Sequence, residues 1–170
     1  MIMRQSIIEL SNYEKLFLKA ILVDANKSDA QIAKETGMSK ATANRIRKEL
    51  ERKKIILKYL PIVDLDRLGI NVFMAILFHW KGYKDVKRTE SMLTDLEKDQ
   101  HIAFLASGEG SGFTHIAFLG FTDLSQAHNY FKKFRMKYDD EIENMVSFFI
   151  PSSEIVKQDY TDTIKSAFNQ

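Results

Sequence analysis

The chain contains no cysteine, and only two prolines and one tryptophan occur among its 170 residues. Without cysteine there is no disulfide framework and no thiolate metal site, which is typical of a protein from a reducing compartment. The longest apolar run, Val72–Phe78, is far shorter than the roughly 20 residues that span a bilayer. The first residues hold no long apolar stretch before a cleavage site, so we expect no secretory signal. These absences together predict a cytoplasmic protein without membrane contact.

Charge is divided unevenly along the chain, although the net charge is only +2. Residues 1–60 hold 13 Lys and Arg against 7 Asp and Glu, a net charge of +6. Residues 61–170 hold 12 against 16, a net charge of −4. A basic front and an acidic back indicate that the front meets a polyanion.

The basic front reads as three short helices. Ser11 with Glu14, and Ser28 with Gln31, have the three-residue spacing of a capping box, and Ser39 can cap a third helix. We expect these helices to end near residue 24, at Thr36–Gly37 and near residue 53. The glycine suits the left-handed position after a helix.

The spacing around Gly37 is typical of a helix-turn-helix. Two helices that cross steeply need a small residue at the approach, which Ala33 supplies, and a glycine at the turn. Their inward positions need apolar residues, and the candidates are Ile32, Met38, Ala43, Ile46 and Leu50.

The third helix carries the candidate DNA-binding residues. In a helix-turn-helix the first turns of the second helix reach base edges in the major groove. The residues expected there are Lys40, Thr42, Asn44 and Arg45. The residues expected to contact phosphates are Ser39, Arg47, Lys48, Arg52, Lys53 and Lys54. The alternative is a solvated face with pairs such as Arg45–Glu49, but neighbouring like charges fit that alternative poorly.

The remaining sequence divides into a linker, a mixed domain and a tail. We expect a helix-turn-helix domain at 1–60, a linker at 61–69, a second domain at 70–160 and a tail at 161–170. Ile55–Val63 is rich in strand-forming residues and predicts a short strand. The tail is either disordered or a short amphipathic helix, and we favour disorder.

The second domain reads as β-α-β-β-α-β, the ferredoxin-like order of an α+β protein. The inward helix positions are expected to be Val86, Met92, Leu93 and Leu96, and then Leu124, Ala127, Tyr130, Phe131 and Phe134. The sheet face away from both helices holds Phe73, Ala75 and Leu77. An apolar face of that kind must be buried, and a second copy of the chain is the simplest partner.

No catalytic or metal-binding pattern stands out. The four histidines, His79, His101, His115 and His128, lack metal-ligand spacing, and "GEGSG" lacks the Lys-Ser/Thr of a phosphate loop. We therefore expect no enzyme, no metal and no cofactor.

The chain resembles the Lrp/AsnC (feast/famine) transcriptional regulators over about residues 11–160. The matching segments are "DAQIAKETGMSKATANRIRKELERKKII", "LASGEGSGFTHIAFLGF" and "EIVKQDY". The resemblance implies a winged-type helix-turn-helix domain followed by an AsnC-type domain. It also implies promoter DNA as partner, and assembly as a dimer or higher oligomer.

The same resemblance implies a small-molecule effector, such as an amino acid, at a subunit interface. The residues that would form this site are Gly108, Gly110, Gly112 and Thr114; Thr114 stands where the family often has an aspartate. Two alternatives remain open: a ligand-binding or oligomerisation module without DNA binding, and an enzyme similar to the siroheme decarboxylases, which share the two-part layout.

Overall fold

The computed structural model describes residues 8–82, 85–157 and 159–168. These residues fall into two compact units, one drawn from 1–62 and 158–170 and the other from 63–157. No helix in the described part of the chain has both the length and the apolar character needed to cross a membrane.

The first unit contains α1 (Asn12–Val23), α2 (Asp29–Thr36), α3 (Lys40–Arg52) and the C-terminal α6 (Thr161–Ala167). Both capping boxes form as expected, because Ser11 and Ser28 each exchange hydrogen bonds with the residue three positions on. Gly37 ends α2 at φ 71° and ψ 13°, in the left-handed region. Ser39 caps the start of α3, and its hydroxyl accepts from the backbone N–H of Thr42.

One apolar core joins the first three helices. Ala33 is 7% exposed, and the side chains that meet in this core include Phe17, Ile32, Ala43, Ile46 and Leu50. The small Ala33 of α2 and Ala43 of α3 are both buried in this core. The helix-turn-helix arrangement predicted from the spacing around Gly37 is confirmed.

The segment after α3 forms no strand, so the prediction for Ile55–Val63 was wrong. A strand requires a hydrogen-bonding neighbour, and the described residues of the first unit offer none. Ile55 and Ile56 pack on the core, whereas Leu57 and Ile62 are exposed.

The tail is also different from expectation, because the disorder that we favoured is replaced by α6. A seven-residue helix is too short to be stable alone. Its support comes from α1: the Thr161 hydroxyl donates to the carbonyl of Leu22, and Phe168 packs against the core of the first unit.

The second unit is a four-stranded antiparallel sheet with two helices on one face. Its elements are β1 (Val72–Trp80), α4 (Val86–Glu97), β2 (Ile102–Gly110), β3 (Phe113–Phe121), α5 (Leu124–Lys137) and β4 (Ile142–Pro151). The strand order β2-β3-β1-β4 is the ferredoxin-like order, so this prediction is confirmed. A single 3-10 turn, Ser152–Glu154, follows β4.

Alternate residues of β1 divide the sheet into two faces. Met74, Ile76, Phe78 and Trp80 lie under the helices in the core, together with Met92, Leu96, Ala127 and Phe134. Two helix positions that we expected to be inward are exposed, Val86 at 63% and Leu124 at 48%. Both are the first residue of their helix, where the helix has only begun to follow the sheet.

The opposite face of the sheet is apolar from edge to edge. Phe73 and Ala75, in the central strand, are nearly buried by their neighbours, among them Phe118. Exposure is concentrated on the outer strands, at Phe104 on β2 and at Val146 and Phe148 on β4.

Candidate nucleic-acid interface

Helix α3 presents a row of cations on the side away from its core. Ala43, Ile46 and Leu50 face inward. The 3.6-residue period therefore turns Arg45, Lys48 and Arg52 outward on one stripe, which we call the outward row. These three side chains are exposed, as are Ser39, Lys40 and Lys54. Arg45 is 70% exposed and its only charged contact among the described residues is Glu49, at 3.4 Å. These cations are available to an anion outside the protein.

Two of the sequence-predicted residues instead make contacts inside the domain. The Asn44 amide donates to Asp29 Oδ2 at 2.8 Å, and Arg47 Nε donates to Asp29 Oδ1 at 2.7 Å. The other nitrogens of Arg47 donate to the Lys27 carbonyl at 2.8 Å and to the Tyr59 hydroxyl at 3.1 Å. Asn44 and Arg47 therefore connect α3 to the start of α2 and to the segment that follows α3.

Lys53 also lies in an internal network, because its ammonium is 3.0 Å from Glu14 and 3.1 Å from Glu49. Thr42 shares the cap of α3, with its hydroxyl 2.8 Å from that of Ser39. Lys54 follows the helix at φ 55°, in the left-handed region. Of the ten predicted DNA-binding residues, the exposed ones are those of the outward row together with Ser39, Lys40 and Lys54.

Electrostatics reinforces these internal contacts. Burial by itself would raise the pKa of Asp29, but the hydrogen bonds from Asn44 and Arg47 and the Arg47 charge lower it overall. Glu14 behaves in the same way: burial opposes ionisation, and hydrogen bonds from Ser11 and Lys53 bring its pKa below its usual value. Burial would lower the pKa of Arg47, but its bonds to Asp29 and Tyr59 raise it. All three groups are charged at neutral pH.

Sequence reasoning missed Asp29 and Tyr59 as members of this network. Asp29 lies 15 residues before Asn44 and 18 before Arg47. No local period connects such positions, since only the crossing of the two helices brings them together. An acidic residue in the first turn of α2 is explained locally by the helix dipole, which hides its second role.

A cavity of about 540 Å³ lies beside the β2–β3 hairpin. All four predicted effector residues, Gly108, Gly110, Gly112 and Thr114, line it together with His79 and His115. The Thr114 hydroxyl accepts from the Trp80 backbone N–H at 2.9 Å and is 2.8 Å from His115 Nδ1. Nε2 of the buried His115 has no hydrogen-bond partner among the described residues. No group of three or more potential metal ligands occurs in the described part of the chain.

Residues 18–56 match the family model described as winged helix-turn-helix DNA-binding. That range contains α2, α3 and the outward row of cations. No curated protein sequence matches the chain.

Solved structures match the fold over most of the chain at low identity. An AsnC family transcriptional regulator from Agrobacterium tumefaciens superposes with a TM-score of 0.77 at 15% identity, over 88% of this chain and 94% of that one. AsnC of E. coli gives 0.73 at 19% identity, over 89% and 98%. A transcriptional regulator of Neisseria meningitidis in complex with L-Met gives 0.75 at 15% identity, over 88% and 94%. The resemblance to Lrp/AsnC regulators, and the α+β fold class, are confirmed at the level of the fold.

Proposed function

We propose that this protein is a sequence-specific DNA-binding transcriptional regulator that works as a dimer. The observation that carries the proposal is the outward row of Arg45, Lys48 and Arg52 on the second helix of a helix-turn-helix. Like charges on neighbouring turns repel one another in the free protein. Phosphates of a duplex remove that repulsion and release counterions, which supplies affinity.

We propose the following division of the candidate DNA-binding residues, supported by their exposure and their internal contacts. Lys40, Thr42 and Arg45, on the first two turns, are proposed to reach base edges; Arg can fork onto guanine O6 and N7. Ser39, Lys48, Arg52 and Lys54 are proposed to contact phosphates, which set register and affinity. Asn44, Arg47 and Lys53 are better explained by their internal partners.

Dimerisation is proposed to use the apolar face of the sheet. Phe148 is 65% exposed, Val146 52% and Phe104 48%, and the two strands between them, β3 and β1, are apolar on this face as well. A second copy related by a two-fold axis would cover this face with an identical one. Because each copy carries one α3, the bound DNA should contain two half-sites related by a dyad.

The cavity at the hairpin is proposed to take a small polar effector, such as an amino acid. Its lining offers the backbone of three glycines and the Thr114 hydroxyl. A ligand that binds only the folded protein raises its melting temperature by mass action. A panel of amino acids tested by thermal unfolding should contain one that does so; no shift with any of them favours a regulator without this class of effector.

The activity proposed here is binding rather than catalysis, in the cytoplasm where a promoter is accessible. The test is to incubate the full chain with a pool of random duplexes and to sequence what is retained over several rounds. We expect one enriched motif with two-fold symmetry. Recovery of the input pool, without enrichment, would favour a ligand-binding or oligomerisation module that does not read DNA.

A further inference from the structure

Asp29 links the recognition helix to the helix before it. Its two carboxylate oxygens accept separately, one from the Asn44 amide at 2.8 Å and one from Arg47 Nε at 2.7 Å. Asn44 and Arg47 are one turn apart on α3, so both bonds form together only at one rotation of that helix about its axis. A single carboxylate thereby fixes which residues of α3 point outward.

Arg47 extends this link to the rest of the unit. It donates to the Lys27 carbonyl in the turn before α2 and to the Tyr59 hydroxyl after α3. Its guanidinium carbon also lies 5.1 Å from the centre of the Phe17 ring and 5.5 Å from that of Tyr59. Segments on either side of α3 and a residue of α1 therefore meet at one planar cation, which has the fork geometry such contacts need.

The exposure of these groups separates them from the outward row. The side chains of Arg47 and Asp29 are 18% and 14% exposed, against 70% for Arg45. Three of the five N–H donors of Arg47 are already used by Asp29, Lys27 and Tyr59. A phosphate would therefore have to compete with these partners at a side chain that is largely covered, whereas Arg45 is open to it.

We infer that Asp29 and Arg47 are positioning residues that orient α3 for sequence reading, and that Arg47 is not a phosphate contact. The inference rests on the proposed DNA-binding function. It assigns a role in sequence specificity to an acidic residue. On charge alone, that residue would be expected to weaken binding to DNA.

The two views predict opposite results for Asp29→Asn. If only charge matters, removing one negative charge strengthens binding to every duplex. If Asp29 positions α3, the variant loses more affinity for the motif selected from the random pool than for a duplex with the same bases in scrambled order. The matched control is Glu35→Gln, which also removes a carboxylate from α2. The charged partner of Glu35 is Lys27, which is not a residue of α3.

The experiment measures dissociation constants for the selected and the scrambled duplex over a series of salt concentrations. The full-length proteins compared are wild type, Asp29→Asn, Glu35→Gln, Arg47→Lys and Arg47→Ala. We expect Asp29→Asn and Arg47→Lys each to lower the selected-to-scrambled affinity ratio by at least about tenfold, the size of a lost charged hydrogen bond. Arg47→Lys should do so with the salt slope of wild type. Glu35→Gln should leave the ratio unchanged.

The inference is overturned if Arg47→Lys keeps the wild-type ratio, or if Asp29→Asn strengthens both complexes as Glu35→Gln does. Folding of each variant is checked by circular dichroism; should Arg47→Ala unfold, the other two variants still decide. A wild type that shows no salt-dependent duplex binding would instead refute the proposed function itself. The two failures are therefore distinguishable.

Discussion

Two carboxylates hold the helices of the first unit together. Glu14 accepts from the Ser11 backbone N–H at 2.8 Å and from Lys53 at 3.0 Å, so it joins the start of α1 to the end of α3. Asp29 joins the start of α2 to the middle of α3. The crossing of the three helices therefore depends on polar links as well as on the apolar core.

Acid should weaken this unit in a defined range. The pKa values of Asp29 and Glu14 are lowered on folding, from ordinary values of 3.8 and 4.5, because the bonds to the charged forms outweigh the effect of burial. The unfolded chain thus takes up protons first as pH falls. The stabilisation is fully present above the unfolded pKa values, at about pH 5 and higher, and is lost as pH falls through the lower pKa values of the folded protein. Melting temperatures of wild type between pH 6 and 2 should show this fall.

Asp29→Asn provides the comparison for the acid experiment. It should melt lower than wild type at pH 6 and approach wild type at the acid end, since its lost carboxylate no longer titrates. Glu35→Gln, which removes a carboxylate from the same helix, controls for the general effect of losing one negative charge. Parallel curves for wild type and Asp29→Asn would show that Asp29 contributes nothing through its charge.

Helix α3 ends in a Schellman motif with an unsuitable residue at its left-handed position. The Ile55 N–H donates to the Leu50 carbonyl and the Lys54 N–H to the Glu51 carbonyl, both at 2.9 Å. Such ends usually place glycine where Lys54 stands, at φ 55°. A side chain in that region costs about 1–2 kcal/mol.

Lys54→Gly should therefore stabilise the protein by about 1 kcal/mol. Chemical denaturation followed by helix circular dichroism measures the change. Lys48→Gly is the matched control, because glycine inside the same helix should destabilise it by about 1 kcal/mol. An unchanged or lower stability for Lys54→Gly would mean that the left-handed residue carries no strain.

Elements with a local cause were predictable, and those with a distant cause were not. The capping boxes at Ser11 and Ser28 and the turn at Gly37 follow from neighbouring residues alone. The supposed strand at Ile55–Val63 needed a partner strand that the unit does not provide. Helix α6 exists because Thr161 and Phe168 contact the first unit, more than a hundred residues away in sequence.

The same distinction applies to the candidate site. The sequence analysis assigned ten residues to DNA because they lie on or next to one helix and have polar or cationic side chains. It had no means to separate Arg45 from Arg47, because the difference is Asp29, a residue on another helix. Residue type predicted a basic surface on α3, and tertiary contacts determine which of its cations lack an internal partner of this kind.

The assembly of the whole molecule should depend on the apolar sheet face. Phe148→Asp places a charge at its most exposed ring and should weaken the dimer by at least about a hundredfold. Light scattering after size exclusion should then give 19.7 kDa, the mass of one chain, in place of twice that mass. Met136→Asp is the control, since Met136 is 71% exposed on α5, off this face. An unchanged mass for Phe148→Asp would exclude this surface as the dimer contact.

The most direct test of the account is the salt dependence of duplex binding by wild type and Lys48→Gln, with Lys87→Gln of the second unit as control. We predict that the affinity of wild type falls steeply with salt. For Lys48→Gln the slope of log affinity against log salt should be smaller in magnitude by about two, because each subunit of the dimer loses one phosphate contact. Lys87→Gln should keep the wild-type slope. A flat salt dependence in wild type, or a Lys48→Gln slope equal to it, would contradict the claim that the outward row of α3 binds DNA.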